Sequence, residues 1–282
     1  MRGKLWFCAA ALAAVALLTA CSGAEAPASA VPPASSELPA PSEPEPEPEL
    51  PSEPDSSSAS SEPSSSSQPE KENPYIKDGV LISYDTGEMT DVVLPSGKFT
   101  KISNSCFKNN TKIESVVIPE GVTEIGPSAF SGCKNLKYIQ LPKTLTIIEY
   151  AAFENCEALR AIDLSRCGVL TIRAAAFQKA GLRRGVIPHN IGMMESDVFI
   201  DCASLTEVQV DGLVVIPERT FARCGALQTV TLGPLVEKIE EGAFFNCPVK
   251  TVYYNGDLSA LSIAEENDAL RNAEHITGTS TT

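Results

Sequence analysis

Nine cysteines and two histidines carry the most reactive side chains of this 282-residue chain, and their spacing limits what they can do. Five of the cysteines, Cys133, Cys156, Cys202, Cys224 and Cys247, each follow a phenylalanine by three residues. A tetrahedral zinc site draws its ligands from closely spaced pairs such as Cys-x-x-Cys, joined by further Cys or His. No such pair occurs, and thiols that recur once per repeat stand in a row, so no metal centre is expected. Neighbouring rungs of a stacked sheet lie about 4.8 Å apart, within reach of a disulfide. Side chains of one column nevertheless point in parallel rather than toward one another. The expected arrangement is a ladder of buried thiols packing as small hydrophobes, with Cys156 and Cys167 the irregular pair open to oxidation outside the cell. Cys106 replaces the Ala that usually precedes the Phe and is read as packing. Nucleophilic catalysis needs a base beside the nucleophile. The histidines are His189 and His275, and no Gly-x-Ser-x-Gly, phosphate loop or zinc-binding His pair accompanies them. The chain is therefore expected to be neither an enzyme nor a cofactor carrier.

The remaining thiols, Cys8 and Cys21, belong to the N-terminal segment. Arg2 and Lys4 precede an apolar run from Leu5 to Ala20, shorter than the ~20 residues a bilayer-spanning helix needs. The run ends Leu18-Thr19-Ala20-Cys21, which resembles the bacterial lipobox. That resemblance implies a signal peptide over 1–20, lipidation of Cys21 as the membrane attachment, and a place in the bacterial cell envelope facing outside the cytoplasm. Residues 21–73 hold the lipidated Cys and a Pro/Ser/Glu-rich tether without apolar periodicity, which is expected to be disordered and extended. At ~3.1 Å per residue its reach is on the order of 150 Å. Residues 22–73 carry eleven acids against Lys71 alone, so most of the net charge of −14 lies in the tether. An acidic domain on an acidic tether argues against nucleic acid as a partner.

Beyond the tether, alternating apolar residues in 74–98 and the turn signals Asp78-Gly79 and Thr86-Gly87 predict an N-terminal cap hairpin and first strand. A repeat follows over 99–254. Its register is set by Phe107, Phe130, Phe153, Phe177, Phe199, Phe221 and Phe244, spaced by 22 to 24 residues. Ile or Met stands five residues before each Phe. Eight before it stand Phe99, Val122, Leu145, Val169, Ile191, Leu213 and Val236. After it, Leu-x-x-Ile-x-Leu-Pro ends in a short strand. Units this small bury their apolar faces only by stacking. The columns, from about Val92 to Tyr254, resemble the BspA-like leucine-rich repeat. The resemblance implies an α/β repeat solenoid, with a parallel β-sheet on one face and short helical or irregular segments on the other. Residues 255–282 read as a C-terminal cap and tail, with Leu258 or Leu261 where the family often has Trp.

Strand residues between the core positions must face outward. By register they form one row of Asp91, Ser115, Tyr138, Ala161, Arg184, Glu207, Thr229 and Thr251. A second row holds Val93, Val117, Gln140, Asp163, Val186, Gln209, Thr231 and Tyr253. The core columns are uniform and these rows are not, which makes Tyr138, Gln140, Asp163, Arg184, Glu207, Gln209 and Tyr253 the candidate binding residues. The fourth repeat departs most from the unit, through Gly181, Gly185 and Met193-Met194. Its Arg183, Arg184 and His189 form a basic spot on an acidic domain. The expected function is non-enzymatic binding of an extracellular protein or glycan, and the family resemblance implies adhesion to host or neighbouring cells. The alternative is a structural or accessory envelope lipoprotein with no host ligand. Cys21→Ser is expected to move the protein from the membrane to the soluble fraction, and its retention on membranes would remove the anchor from this account.

Overall fold

A turn of 22 to 24 residues leaves strand edges unpaired above and below, so each turn is completed only by its neighbours. In a computed structural model, residues 73–257 and 259–277 are described and form a parallel β-solenoid of about 8 turns. The signal peptide, Cys21, the tether up to residue 72 and Leu258 lie outside the described residues.

The described chain opens on β1 (Tyr75–Lys77) and β2 (Val80–Ser83), an antiparallel hairpin turned by Asp78 and Gly79, both at positive φ. Two strands per turn follow. In chain order they are β3 (Asp91–Val93) with β4 (Lys101–Ile102), β5 (Ser115–Val117) with β6 (Glu124–Ile125), and β7 (Tyr138–Gln140) with β8 (Ile147–Ile148). The next turn has β9 (Leu170–Ile172) alone. Then come β10 (Arg184–Ile187) with β11 (Ile191–Met194), β12 (Glu207–Val210) with β13 (Val215–Ile216), β14 (Thr229–Leu232) with β15 (Lys238–Ile239), and β16 (Thr251–Tyr254) with β17 (Ser262–Ile263). Helix α1 (Asp268–Arg271) and β18 (Glu274–Thr277) end the described chain.

First strands pair with first strands and second with second, so two ladders run along the stack. The first is split into β3-β5-β7 and β10-β12-β14-β16-β18. The second runs from the hairpin through β2-β4-β6-β8-β9-β11 and resumes as β13-β15-β17. The pattern predicts a single sheet, and the second ladder is the addition. Within the repeats its strands, β11 apart, have two or three residues and are too short to show alternation.

The segments around each Ala-Phe, expected to be short helical or irregular, are irregular turns. Among the described residues the one α-helix is α1, of four residues. The residues two before and two after each Phe are left-handed, as at Ser128 (φ 53°), Gly132 (φ 75°), Asp197 (φ 61°) and Asp201 (φ 62°). Such residues interrupt a right-handed helix. They also turn alternate N–H groups toward the next turn. Ser128, Phe130 and Gly132 donate to the carbonyls of Tyr150, Ala152 and Glu154 at 2.9, 2.8 and 2.7 Å. The pattern recurs from turn to turn, giving the solenoid a third hydrogen-bonded side.

Inside, the phenyl rings form one stack from Phe107 to Phe244, with centroids 4.9–5.5 Å apart. The cysteine column lies beside it. Cys133 Sγ–H donates to Phe107 O at 3.1 Å, and Cys156, Cys202, Cys224 and Cys247 repeat the contact one turn back at 3.1–3.2 Å. At the C-terminal end the missing turn is replaced by Asn267, fully buried. Its Oδ1 accepts from Phe244 N at 3.0 Å, while its Nδ2 donates to three carbonyls.

The 24-residue interval from Phe153 to Phe177, which leads into the fourth repeat, accommodates its extra residue by a register change. Val169, aligned with the core column, is 73% exposed, and Leu170 fills the column instead. The inserted loop is held by Asn190 Nδ2, which donates to Leu164, Cys167 and Gly168 carbonyls, each at 3.0 Å. Gly181 lets the chain pass Glu157, because a Cβ there would lie 2.0 Å from the Glu157 carbonyl oxygen. Phe153→Ala removes a ring from the middle of the stack and is expected to cost about 3–5 kcal/mol. Urea unfolding measures this, and a loss below about 1 kcal/mol would show that the stack is not the organising contact.

Candidate functional site

Each strand of the first ladder buries alternate residues, as Val208 and Val210 of β12 do, and turns the others outward. The pairing places the outward residues in two lines. Arg184, Glu207, Thr229 and Thr251 are partners across β10, β12, β14 and β16, and so are Val186, Gln209, Thr231 and Tyr253. Arg184 and Glu207 form an ion pair, Nε to Oε1 at 3.0 Å. Arg184 Nη2 also donates to Gln209 Oε1 at 3.3 Å, and Gln209 Nε2 donates to Asp211 Oδ2 at 2.8 Å. Three of the candidate residues thus form one polar network. Tyr253 stands exposed two strands away, beyond the two threonines of β14.

Tyr138 and Gln140 sit on β7, in the separate sheet with β3 and β5, where Asp91, Ser115 and Tyr138 are partners, as are Val93, Val117 and Gln140. Residues 161–163 form no strand, so the first ladder is interrupted there. Asp163 does not join its row. Its Oδ1 accepts from Ser165 N at 3.0 Å and Ser165 Oγ at 2.6 Å, closing the carboxylate on its own turn. The basic spot is altered as well. Arg183, Arg184 and His189 are all exposed, but Glu207 compensates Arg184.

Among the described residues all seven cysteines are free thiols, and no group of His, Cys, Asp and Glu is arranged to hold a metal. Burial raises the thiols of Cys106 and Cys133 to about 12 and Cys167 to about 11, and pushes Cys156 well above its ordinary value. Neutral thiols deep in the stack are poor nucleophiles.

A second feature escaped the sequence reading. Four residues before the Phe, each turn normally donates a backbone N–H to the preceding turn. Gly126 donates to Ile102 O, Glu149 to Ile125 O, Arg173 to Ile148 O, Glu195 to Ile172 O and Glu240 to Ile216 O, all at 2.9–3.0 Å. The equivalent position opposite Met194 is Pro217, which has no N–H. The second ladder stops at β11 and resumes at β13, and a groove of about 800 Å³ opens between them. Pro217 in the donor column was the available signal, but a ladder not foreseen has no donor column to inspect.

The profile of the BspA type leucine-rich repeat region matches residues 100–214 and 168–264, in six copies. A leucine-rich repeat protein of T. pallidum, known from its crystal structure, superposes with a TM-score of 0.56 at 26% identity, over 72% of this chain and 91% of its own. One from Bacteroides ovatus superposes with a TM-score of 0.55 at 19% identity, over 72% of this chain and 68% of its own, a likeness of fold. No curated protein matches the chain in sequence.

The cysteine column makes stability depend on pH with a definite sign. The Cys133 thiol rises from 9.0 to about 12 on folding. Its contribution is therefore complete below pH 9 and is lost as the pH climbs toward 12, because the unfolded chain ionises first. The urea midpoint is expected to fall across that window. At pH 8 a thiol reagent is expected to label the folded protein slowly, and fast stoichiometric labelling before unfolding would contradict the buried column.

Proposed function

This chain belongs to the BspA-type leucine-rich repeat family, and from that premise we propose that it is a non-enzymatic bacterial surface lipoprotein that binds an extracellular protein or glycan. The binding surface in this proposal is the outer face of β10, β12, β14 and β16. Attachment is through the lipid on Cys21, and adhesion to host or neighbouring cells is the role. Among the described residues no helix is long and apolar enough to cross a membrane.

The observation that carries the reading is the juxtaposition of Arg184, Glu207, Gln209 and Tyr253 on one rigid sheet, in rows whose chemistry does not repeat while the core beneath them does. Stacking dictates the core columns, so variation confined to the outer rows is what recognition requires. Backbone already fixed by pairing, on one side for β10 and on both for β12, β14 and β16, loses little entropy on binding. The Arg184–Glu207 pair leaves its side chains 60% and 47% exposed. Exposed pairs contribute only about 0–1 kcal/mol, so a partner's own charges can take over either member at small cost. Tyr253 adds an aromatic surface of the kind enriched at interfaces.

Full-length protein carrying Arg184→Ala, Glu207→Ala and Tyr253→Ala together is expected to bind immobilised extracellular-matrix proteins or arrayed glycans at least tenfold more weakly than the parent, with an unchanged Tm. Undiminished binding by the triple variant would remove this face from the proposal. Retention only on cell-wall or membrane components would replace adhesion with an accessory role in the envelope.

A further inference from the structure

We propose that the break between β11 and β13 is a second docking site, taking a short extended segment of a protein partner with an apolar side chain flanked by Lys or Arg. It lies on the second ladder and is independent of the face proposed above. The first ground is backbone pairing. β11 has β9 on one side and β13 has β15, and neither strand pairs with the other. Open strand edges are templates for an added strand. The opening is closed at both ends, by Asp211 N donating to Ile187 O at 2.8 Å and by Phe199 N donating to Thr220 O at 2.8 Å. The four residues of β11 span about 13 Å at ~3.3 Å each, so its open edge matches a segment of three or four extended residues.

The second ground is the chemistry of the lips. Six residues before each Phe, the outward row of the second ladder reads Lys101, Glu124, Ile147, Thr171, Met193, Val215 and Lys238. At its ends the row is charged and paired, Lys101 with Glu124 at 2.7 Å and Lys238 with Glu240 at 3.1 Å. At the break it is apolar. Met193 is 43% exposed on one lip and Val214 is 49% exposed on the other, beside Val215. The lysines that usually protect open edges are missing where the edges are open.

Charge selects the occupant. The charged residues that line the groove are all glutamates, Glu195, Glu218 and Glu240. Arg173 and Lys238 lie against Glu195 and Glu240, whereas Glu218 has only a 3.7 Å approach to Arg219. This rim disfavours the chain's own acidic residues 22–73 and favours a basic segment.

The test uses the full-length protein and two blocked heptapeptides, acetyl-Lys-Val-Lys-Leu-Lys-Val-Lys-amide and its counterpart with Glu in place of Lys. The Lys peptide is expected to bind at least tenfold more tightly than the Glu peptide and to slow amide exchange in residues 191–196 and 213–218. Met193→Ser with Val214→Ser, which leaves charge unchanged, is expected to weaken binding at least tenfold at constant Tm. Glu218→Gln with Glu240→Gln should narrow the preference between the peptides. No binding of the Lys peptide, equal affinity for both peptides, exchange protection confined to other turns, or full affinity in the serine variant would each overturn the proposal.

Discussion

Everything in this domain depends on hydrogen bonding from one turn to the next around a continuous stack of phenyl rings. A single turn satisfies few of its own backbone groups, and what remains on its two strands and its Phe-centred arc is satisfied by its neighbours. The arc carries the less usual part of the arrangement. Left-handed residues two before and two after each Phe cost roughly 1–2 kcal/mol apiece when they are not glycine. In return Phe N–H groups point along the stack and meet carbonyls at 2.8–2.9 Å from Phe107 through Phe221. Each Phe carbonyl used by the cysteine column accepts twice, from the backbone of its own turn and from a thiol of the next. Cysteine suits that place because it is small, apolar and still a weak donor.

Such a stack is vulnerable at its ends and tolerant within. At one end the antiparallel β1-β2 hairpin opens the second ladder, and Tyr84 meets Phe107 at a ring distance of 6.1 Å. At the other end Asn267 supplies a side-chain oxygen where a further turn would supply a carbonyl. In between, one side can fail while the others hold. The first ladder lapses at residues 161–163, where the Phe arc continues from Phe153 N to Ala176 O at 2.8 Å. The second lapses at Pro217, where β10 and β12 remain paired. The two irregularities are therefore local openings in a frame that persists.

Ion pairs follow the same turn-to-turn geometry. Arg219 and Arg223 each engage an aspartate of the preceding turn through two nitrogens, Asp197 at 2.9 Å and Asp201 at 2.7 Å. All four of these residues are left-handed, so their side chains emerge at equivalent points of successive turns. The Arg223 contact lowers the Asp201 carboxyl. The arginines are about half exposed, which keeps such pairs within the modest range of surface salt bridges. Their effect is to fix neighbouring turns in register more than to add stability.

The sequence by itself determined the stack and its interior: the Phe, Cys, Leu and Ile columns were legible because burying a large side chain at every turn leaves the same residue type at the same spacing. It also determined the outward register of the longer strands, since alternation with period two survives over three or four residues. The second ladder was not legible, because a two-residue strand has no alternation to read. Nor was the arc, whose left-handed positions are held mostly by Ser, Ala, Asp, Asn, Lys and Arg, with glycine at 132 and 242 alone. Val169 and Leu170 exchanged places because one inserted residue slips a column in a way that spacing alone cannot locate. Asp163 left its row for a hydrogen bond to its own turn, and Arg184 lost its isolation to Glu207. Those outcomes, and the opening at Pro217, were decided only by tertiary structure, because each turns on which groups of a neighbouring turn are close enough to pair.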